Sequence, residues 1–168
     1  MEKETNRVRP FAGRGAALDE KDRTLLGLLS EDATLSYAEL GNRIALSAPA
    51  VHERVKRLKR DGVIQGTIAK LDGASIGRPL LAFVHVDTLG WGAKGPFLEM
   101  DALPDVEEVH SVAGDTCLLL KVRCADAQAL EKLLAKIYAM EGVQRTRSLI
   151  ALSTYLERGP QARIGSAD

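Results

Sequence analysis

Residues 36–60 read SYAELGNRIALSAPAVHERVKRLKR and decide the fold of the first half of the chain. Ser36 and Glu39 have the spacing of a capping box, in which the serine accepts a hydrogen bond from the third helical amide and the glutamate reaches back to the cap. Two residues separate that helix from Ser47, a second N-cap, and Pro49 is tolerated in the first turn that follows. The stretch therefore predicts two short helices joined by a tight turn.

Another helix is predicted before this pair. Helical spacing starts at Leu18, with Asp19 as its N-cap. In the last of the three helices Val51, Val55 and Leu58 fall at i, i+4 and i+7 and form one apolar stripe. We expect this stripe to pack against the two earlier helices.

The segment after the third helix predicts a stop and a wing. Gly62 fits the C-terminal end of a helix, and residues 63–68 (VIQGTI) read as a flanking strand or hairpin. Three short helices with a tight turn before the last one, followed by a hairpin, describe a winged helix-turn-helix domain.

Charge is unevenly distributed, although 23 basic and 23 acidic side chains cancel to a formal net charge of zero. Residues 1–17 carry a net +2, residues 18–70 a net +1 and residues 71–168 a net −3. In residues 47–60 five basic groups stand against Glu53 alone. Such a concentration on one helix is the footprint that a phosphate backbone selects.

The third helix is the predicted DNA-reading helix. In a helix-turn-helix the N-terminal end of the second helix of the motif enters the major groove, where small residues contact thymine methyl groups. Basic residues farther along lie near phosphates, which position the protein without reading sequence. The candidate DNA-binding residues are Ser36, Ser47, Ala48, Pro49, Ala50, His52, Glu53, Arg54, Lys56 and Arg57. The alternative is a solvated amphipathic helix with no DNA role.

The second half of the chain alternates strands and helices. Strand-like runs cover residues 80–86, 106–112, 117–122 and 143–156, and helical spacing covers residues 96–100, ended by Pro104, and 127–140, ended by Gly142. The order βαββαβ predicts a ferredoxin-like sandwich with two helices on one sheet face, which makes the whole chain an α+β protein. The other face is rich in Leu, Val and Ile and has no helix to cover it, so we expect a second subunit there.

Composition excludes several classes. The chain is 45% hydrophobic and 27% charged, as globular proteins are, and no apolar run reaches the length of a membrane span. Its first five residues lack the apolar core of a secretory signal. We therefore expect a cytoplasmic, nucleoid-associated protein with Cys117 and Cys124 reduced. The two cysteines have no metal-ligand spacing and the three histidines are scattered, so neither a metal nor a cofactor is predicted.

Gly90, Gly92 and Gly95 formally satisfy a dinucleotide-binding fingerprint. However, Pro104 soon ends the following helix, and a Gly-Asp turn joins the next two strands where a nucleotide-binding fold needs a parallel crossover. We interpret these glycines as a flexible loop with Trp91 packed against a neighbour.

Several stretches of the chain resemble the leucine-responsive/asparagine (Lrp/AsnC, or feast/famine) regulators. In the first half these are LDxxDRxLL from Leu18, LSxxxVxxRVxxL from Leu46 and DGVIQGxxAxLD from Asp61. In the second half SVxGD from Ser111, LLKV, GV and TRS are similar to the ligand domain of that family. The resemblance covers about residues 18–157, nearly all of the predicted folded chain.

The resemblance implies a transcriptional regulator, not an enzyme, that binds double-stranded DNA at pseudo-palindromic sites. It also implies homodimers formed through the βαββαβ domain, which often assemble further into octamers. Small effectors, commonly amino acids, bind such proteins between subunits near the Gly-Asp turn, here Gly114-Asp115. A carboxylate and free amides beside that turn suit an ammonium and a carboxylate. The candidate effector-binding residues are Val112, Gly114, Asp115, Thr116, Cys117, Leu118, Thr146 and Ser148.

One departure from the family concerns the ligand. Many amino-acid-binding members carry an acidic residue two positions after the turn aspartate, followed by an aromatic residue, where this chain has Cys117 and Leu118. The pocket could therefore prefer an apolar or non-amino-acid ligand, or hold none. Cys117 is a candidate sensor of thiols or oxidants, or a small core hydrophobe.

Two other functions remain open at this stage. Some proteins that resemble the family are decarboxylases of haem-like tetrapyrroles, for which His110, Arg123 and Arg147 are the candidate propionate-binding residues. The intact basic helix argues against that reading. The other alternative is a DNA-architectural protein without an effector, which sharp site preference would exclude.

The predicted domain organisation follows from these elements. It consists of a mobile tail (1–17), a helix-turn-helix domain (18–62), a hairpin or hinge linker (63–77), a ligand-binding and oligomerisation domain (78–157) and a C-terminal tail (158–168).

Overall fold

The computed structural model describes residues 17–89, 100 and 102–162. The described residues divide into two units: the first comprises residues 17–69 together with 156–162, and the second comprises residues 70–155 apart from the undescribed positions. The first tail, the glycine loop with Trp91 and most of the helix predicted at 96–100 lie outside the described residues.

The first unit contains the three predicted helices, α1 (Glu20–Glu31), α2 (Tyr37–Ile44) and α3 (Ala48–Arg60). Each begins at its predicted N-cap: the side chains of Asp19, Ser36 and Ser47 accept hydrogen bonds from the amides of Asp22, Glu39 and Ala50. Ser36 and Glu39 form the predicted capping box, and Asp19 and Asp22 form another. The caps satisfy amides that a helix leaves without an internal partner.

The turn between α2 and α3 is tight enough to require special backbone conformations. Ala45 has φ 52° and ψ 56°, in the left-handed region, and the Leu46 amide donates to the Gly41 carbonyl at 2.9 Å. A Cβ atom on Gly41 would stand 2.4 Å from the Leu46 carbonyl oxygen. The absence of a side chain at Gly41 therefore lets the turn close and sets the direction of α3.

A small core holds the three helices together. The predicted stripe of Val51, Val55 and Leu58 is buried, and it packs with Leu25 and Leu40. Burial of a side chain of this size contributes roughly 1.5–3 kcal/mol, so this core is the main source of the unit's stability.

The predicted wing is wrong, because residues 61–79 contain no strand. Gly62 does end α3, with φ +72°, and the amides of Val63 and Ile64 both donate to the Leu58 carbonyl, at 2.9 and 3.1 Å. A strand needs a neighbouring strand to satisfy its backbone groups, and the described part of this unit offers none. Ile68, whose apolar character suggested a strand, is 90% exposed.

The second unit is a four-stranded antiparallel sheet with one described helix. The elements are β1 (Leu80–Thr88), β2 (Val106–Ser111), β3 (Leu118–Cys124), α4 (Ala127–Tyr138) and β4 (Val143–Ile150). The strand order is β2-β3-β1-β4, which is the order of the predicted ferredoxin-like sandwich. Met100, the one described residue of the first predicted helix, is helical and buried in the core.

The last strand is shorter than predicted and ends at Ile150 instead of extending to Leu156. Its partner β1 begins at Leu80, and the last backbone bond between them runs from the Ala151 amide to the Leu81 carbonyl, at 2.9 Å. Beyond that point no strand of the described residues lies alongside, so the apolar residues that follow do not extend the sheet.

Successive side chains along each strand point to opposite faces of the sheet, and the two faces differ in burial. Val84, Leu120 and Val122 are fully buried on one face, where α4 packs its Leu133 and Ile137. The other face, which no described helix covers, carries four apolar side chains among charged ones; we call Leu81, Phe83, Leu119 and Leu149 the open-face cluster. Phe83 and Leu149 are paired across β1 and β4 and are 37% and 53% exposed. This face is less purely apolar than the sequence led us to expect.

No helix among the described residues has the length and apolar character needed to cross a membrane.

Candidate functional site

The N-terminal half of α3 presents a polar surface to solvent. Pro49, His52, Glu53 and Lys56 are exposed, with Ala48 and Ala50 half-buried between them. Ser36 and Ser47, which cap α2 and α3, are exposed as well. The small side chains leave the helix backbone accessible, which suits insertion into a major groove.

Tyr37 extends this surface and was not among the predicted contacts. Its ring packs edge-on against the His52 imidazole, with ring centroids 5.4 Å apart and an interplanar angle of 61°. His52 Nδ1 also lies 3.2 Å from Glu53 Oε1. Two neighbours therefore restrict the imidazole. The sequence did contain a signal for this contribution, because Tyr37 directly follows Ser36, the α2 N-cap that was predicted to bind DNA.

Arg54 and Arg57 were expected to lie free near phosphates, but both are paired with aspartates at the start of α1. Arg54 Nη1 contacts Asp22 Oδ1 at 2.7 Å and Asp19 Oδ2 at 2.6 Å. Arg57 Nη2 contacts Asp22 Oδ2 at 2.5 Å. The Asp22 side chain is fully buried, and the hydrogen bond from Arg54 holds the pKa of the Asp19 carboxyl below its usual value. These two arginines bind α3 to α1.

The positive charge left for an external partner lies farther along α3. Lys56, Lys59 and Arg60 are exposed, and Arg60 Nε lies 2.9 Å from Asp61 Oδ1. Among the residues that the structure describes, Lys56 and Lys59 have no ion-pair partner. Of these three cations only Lys56 was among the predicted contacts.

A cavity of about 520 Å³ opens beside the Gly-Asp turn of the second unit. It is lined by Asp87, Gly114, Asp115, Thr116, Cys117, Gln144 and Arg145. Four of these were predicted: Gly114, Asp115, Thr116 and Cys117. The lining does not include Val112, Leu118, Thr146 or Ser148. Leu118 instead packs in the hydrophobic core, while Thr146 and Ser148 pair with Val86 and Val84, whose side chains point to the α4 side of the sheet.

The remaining lining residues, Asp87, Gln144 and Arg145, come from β1 and β4. Asp87 and Arg145 are paired across these strands, and Arg145 Nη2 lies 2.9 Å from Asp87 Oδ2. The Thr116 hydroxyl, followed by Arg145, holds the pKa of the Asp87 carboxyl below its usual value. In the described part of the chain the Asp115 carboxylate has no hydrogen-bond or ion-pair partner. The cavity thus offers the Asp87 carboxylate paired with the Arg145 guanidinium, and the Asp115 carboxylate, which is available to a ligand.

The residues predicted for the tetrapyrrole alternative do not converge on one site. His110, Arg123 and Arg147 lie on three different strands, and β2 and β4, which carry His110 and Arg147, form opposite edges of the sheet. His110 contacts Glu108 at 2.9 Å and Arg123 contacts Glu107 at 2.6 Å. No group of three or more His, Cys, Asp or Glu side chains within the described ranges could hold a metal ion.

The cysteines occupy different environments. Cys124 is buried in the core, and its burial raises the pKa of the thiol, which keeps it protonated and unreactive. Cys117 lines the cavity, with Sγ 3.9 Å from the Thr88 carbonyl oxygen.

Known proteins are similar to this chain over both units. The AsnC-type helix-turn-helix domain matches residues 18–59, and the Lrp/AsnC ligand binding domain matches residues 97–161. The HTH-type transcriptional regulator LrpA of Mycobacterium tuberculosis is 39% identical over 83% of this chain and 93% of its own length. The leucine-responsive regulatory protein of Escherichia coli is 38% identical over 82% of this chain and 87% of its own length.

Solved structures share the fold over nearly the same extent. E. coli AsnC superposes with a TM-score of 0.80 at 26% identity, covering 87% of this chain and 99% of its own. A transcriptional regulator from Neisseria meningitidis in complex with L-Met also has a TM-score of 0.80 at 26% identity, covering 84% of this chain and 94% of its own. With both domains matched in order, this chain belongs to the Lrp/AsnC family of transcriptional regulators.

Proposed function

We propose that this regulator reads its DNA sites with the exposed N-terminal half of α3. The observation that carries the proposal is the combination, on one helix, of accessible small and polar residues at its start and unpaired lysines farther along. The base-edge contacts are Ala48, Pro49, Ala50, His52 and Glu53, with Ser36 and Ser47 at the flanking phosphates. Lys56, Lys59 and Arg60 contribute the electrostatic attraction. This division between base-contacting and phosphate-contacting residues is tested by measuring how lysine and histidine variants bind a duplex that carries the selected site.

The cavity beside the Gly-Asp turn is proposed to bind an amino-acid effector. Its volume falls in the range of small-molecule sites, and the Asp115 carboxylate is available for an ammonium group. Arg145 and the turn amides can receive the carboxylate. The L-Met complex of the Neisseria relative supports this class of ligand. Effector binding near a subunit boundary would change DNA affinity through linkage.

Replacement of Asp115 by Asn should weaken amino-acid binding at least about tenfold, because a charge-assisted hydrogen bond contributes roughly 1.5–3 kcal/mol. Calorimetric titration with L-methionine and L-leucine measures the change. Glu131→Gln, which removes a carboxylate from the exposed surface of α4, is the matched control and should bind as the wild-type protein does. If wild-type protein gave no heat with any of the common amino acids, the amino-acid assignment would be excluded.

The homodimer is proposed to form through the open face of the sheet. Phe83, Leu119 and Leu149 of the open-face cluster are at least partly exposed, whereas Leu81 is buried. The three form an aromatic and aliphatic patch within a charged rim, an arrangement typical of protein interfaces. The rim includes ion pairs between Lys121 and Glu107, at 3.3 Å, and between Arg123 and Glu107, at 2.6 Å. A second copy supplies the same surface, as a two-fold dimer requires.

Substitution of Phe83 by Glu should raise the dimer dissociation constant by about 30-fold or more, since truncating a central aromatic residue already costs at least about 2 kcal/mol. Sedimentation equilibrium measures the constant. Tyr138→Glu, on α4 and 59% exposed, is the control and should leave the dimer intact. Dimers that persist equally in both variants would place the interface elsewhere.

A further inference from the structure

We propose that Asp22 is a positioning residue of the DNA-reading helix and that Arg54 and Arg57 serve recognition through it, not by touching DNA. The inference rests on the proposed α3 contact surface and adds a residue on α1 that does not itself approach the DNA. The buried Asp22 carboxylate fixes the orientation of α3 relative to α1 and so the surface that α3 turns towards DNA.

The contacts around Asp22 account for both of its oxygens. Oδ1 receives Arg54 Nη1 at 2.7 Å, and Oδ2 receives Arg57 Nη2 at 2.5 Å. Oδ2 also accepts a hydrogen bond from the Asp19 amide at 3.2 Å, which closes the capping box of α1. One carboxylate therefore joins the first turn of α1 to two successive turns of α3.

These ion pairs restrain rotation and sliding of α3, which the apolar core alone restrains only weakly. The core contacts of Val51, Val55 and Leu58 form a single stripe, and apolar contacts are non-directional, so they hold α3 close without fixing its rotation sharply. Arg54 and Arg57 lie on one side of that stripe. Charge-assisted hydrogen bonds to one fixed carboxylate have directional geometry, and they resist rotation or sliding of α3 along α1.

The ion pairs also change the electrostatics of the surface. The Arg54 and Arg57 side chains remain 26% and 40% exposed, so each guanidinium would be available to solvent and phosphate once released. Pairing with Asp22, and for Arg54 also with Asp19, keeps these two charges from attracting DNA of any sequence. Asp22 therefore favours site-specific over non-specific binding, both by geometry and by charge.

Asp22→Asn tests the proposal in the full chain because it keeps the shape and removes the charge. The probes are a labelled duplex carrying the site selected by the wild-type protein and a scrambled duplex of the same composition, titrated over a range of salt concentrations. We expect affinity for the selected site to fall about tenfold, with unchanged or stronger binding to the scrambled duplex. The salt slope on the scrambled duplex should steepen by about 0.9, since Arg57 is released while Arg54 keeps its contact with Asp19.

A second variant separates positioning from direct contact without depending on how well Asp22→Asn folds. Arg57→Met keeps the aliphatic stem; it should lower the ratio of specific to scrambled affinity with the salt slope on the selected site unchanged. A slope reduced by about 0.9 would instead show that Arg57 touches a phosphate, and would overturn the inference while leaving the α3 surface intact. When Asp22→Asn and Arg57→Met are combined, their losses in the ratio of specific to scrambled affinity should be less than additive, because each substitution breaks the same contact.

Two further outcomes would count against the proposal. If folded Asp22→Asn kept the wild-type ratio and slope, Asp22 would contribute only stability. If the wild-type protein bound selected and scrambled duplexes alike, the proposed α3 surface would fail, and this inference with it.

Discussion

Gly41→Ala should destabilise the helix-turn-helix unit by about 2 kcal/mol. The new Cβ would lie 2.4 Å from the Leu46 carbonyl oxygen and 3.4 Å from its carbonyl carbon, and a backbone carbonyl cannot rotate away as a side chain can. Overpacking of this kind costs up to about 3 kcal/mol, which outweighs the roughly 1 kcal/mol by which alanine favours a helix over glycine. Amide hydrogen exchange in α2 and α3 measures the local free energy of opening.

Gly27→Ala is the matched control within the same unit. Gly27 lies in α1, and apart from its chain neighbours and the backbone of its own helix, no atom of the described residues lies within 4 Å of the position its Cβ would occupy. The same chemical change should therefore stabilise α1 by up to about 1 kcal/mol. Opposite signs for the two variants would establish that the turn needs the close approach at Gly41, and equal signs would show that the turn relaxes without cost.

Removal of the two unpaired lysines of α3 should weaken DNA binding of every sequence by about 30-fold at physiological salt. Each phosphate contact contributes about 0.9 to the slope of log affinity against log salt, so Lys56→Ala with Lys59→Ala should lower the slope by about 2. Fluorescence anisotropy at several salt concentrations measures both quantities. His52→Ala, in contrast, should lower affinity for the selected site by roughly 1–3 kcal/mol without changing the slope, since a base contact releases no counterion.

Lys132→Ala with Lys136→Ala is the control for charge alone. Both lysines are exposed on α4, one helical turn apart, so this double variant changes the net charge by the same amount outside the proposed contact surface. We expect a wild-type salt slope. If both lysine pairs lowered the slope equally, general charge and not the α3 surface would account for binding.

The sequence predicted elements best where a local signal marks their ends. Ser36 and Ser47 begin helices because a side-chain oxygen can satisfy a nearby amide, and that chemistry is readable from neighbouring residues. The strand order could also be predicted, since βαββαβ alternation has few ways to close. The strand predicted at residues 63–68 was wrong because a strand depends on a partner strand, and the described residues of that unit contain none.

Contacts between distant residues were harder to predict. Asp22 was identified only as part of a family motif, since nothing local shows that two arginines more than thirty positions away meet its carboxylate. The cavity lining shows the same limit: the turn residues Gly114 and Asp115 carried a signal, but Asp87 and Arg145 meet only through the register of β1 with β4.

Selection of binding sites from a library of random-sequence duplexes, with purified full-length protein at near-physiological salt, tests most directly whether this chain is a sequence-specific regulator that reads DNA through α3. We predict that repeated rounds enrich one two-fold-symmetric sequence for the wild-type protein. His52→Ala should relax the preference at the bases that α3 contacts. Recovery of duplexes without any shared sequence would contradict the account and would favour a DNA-architectural protein.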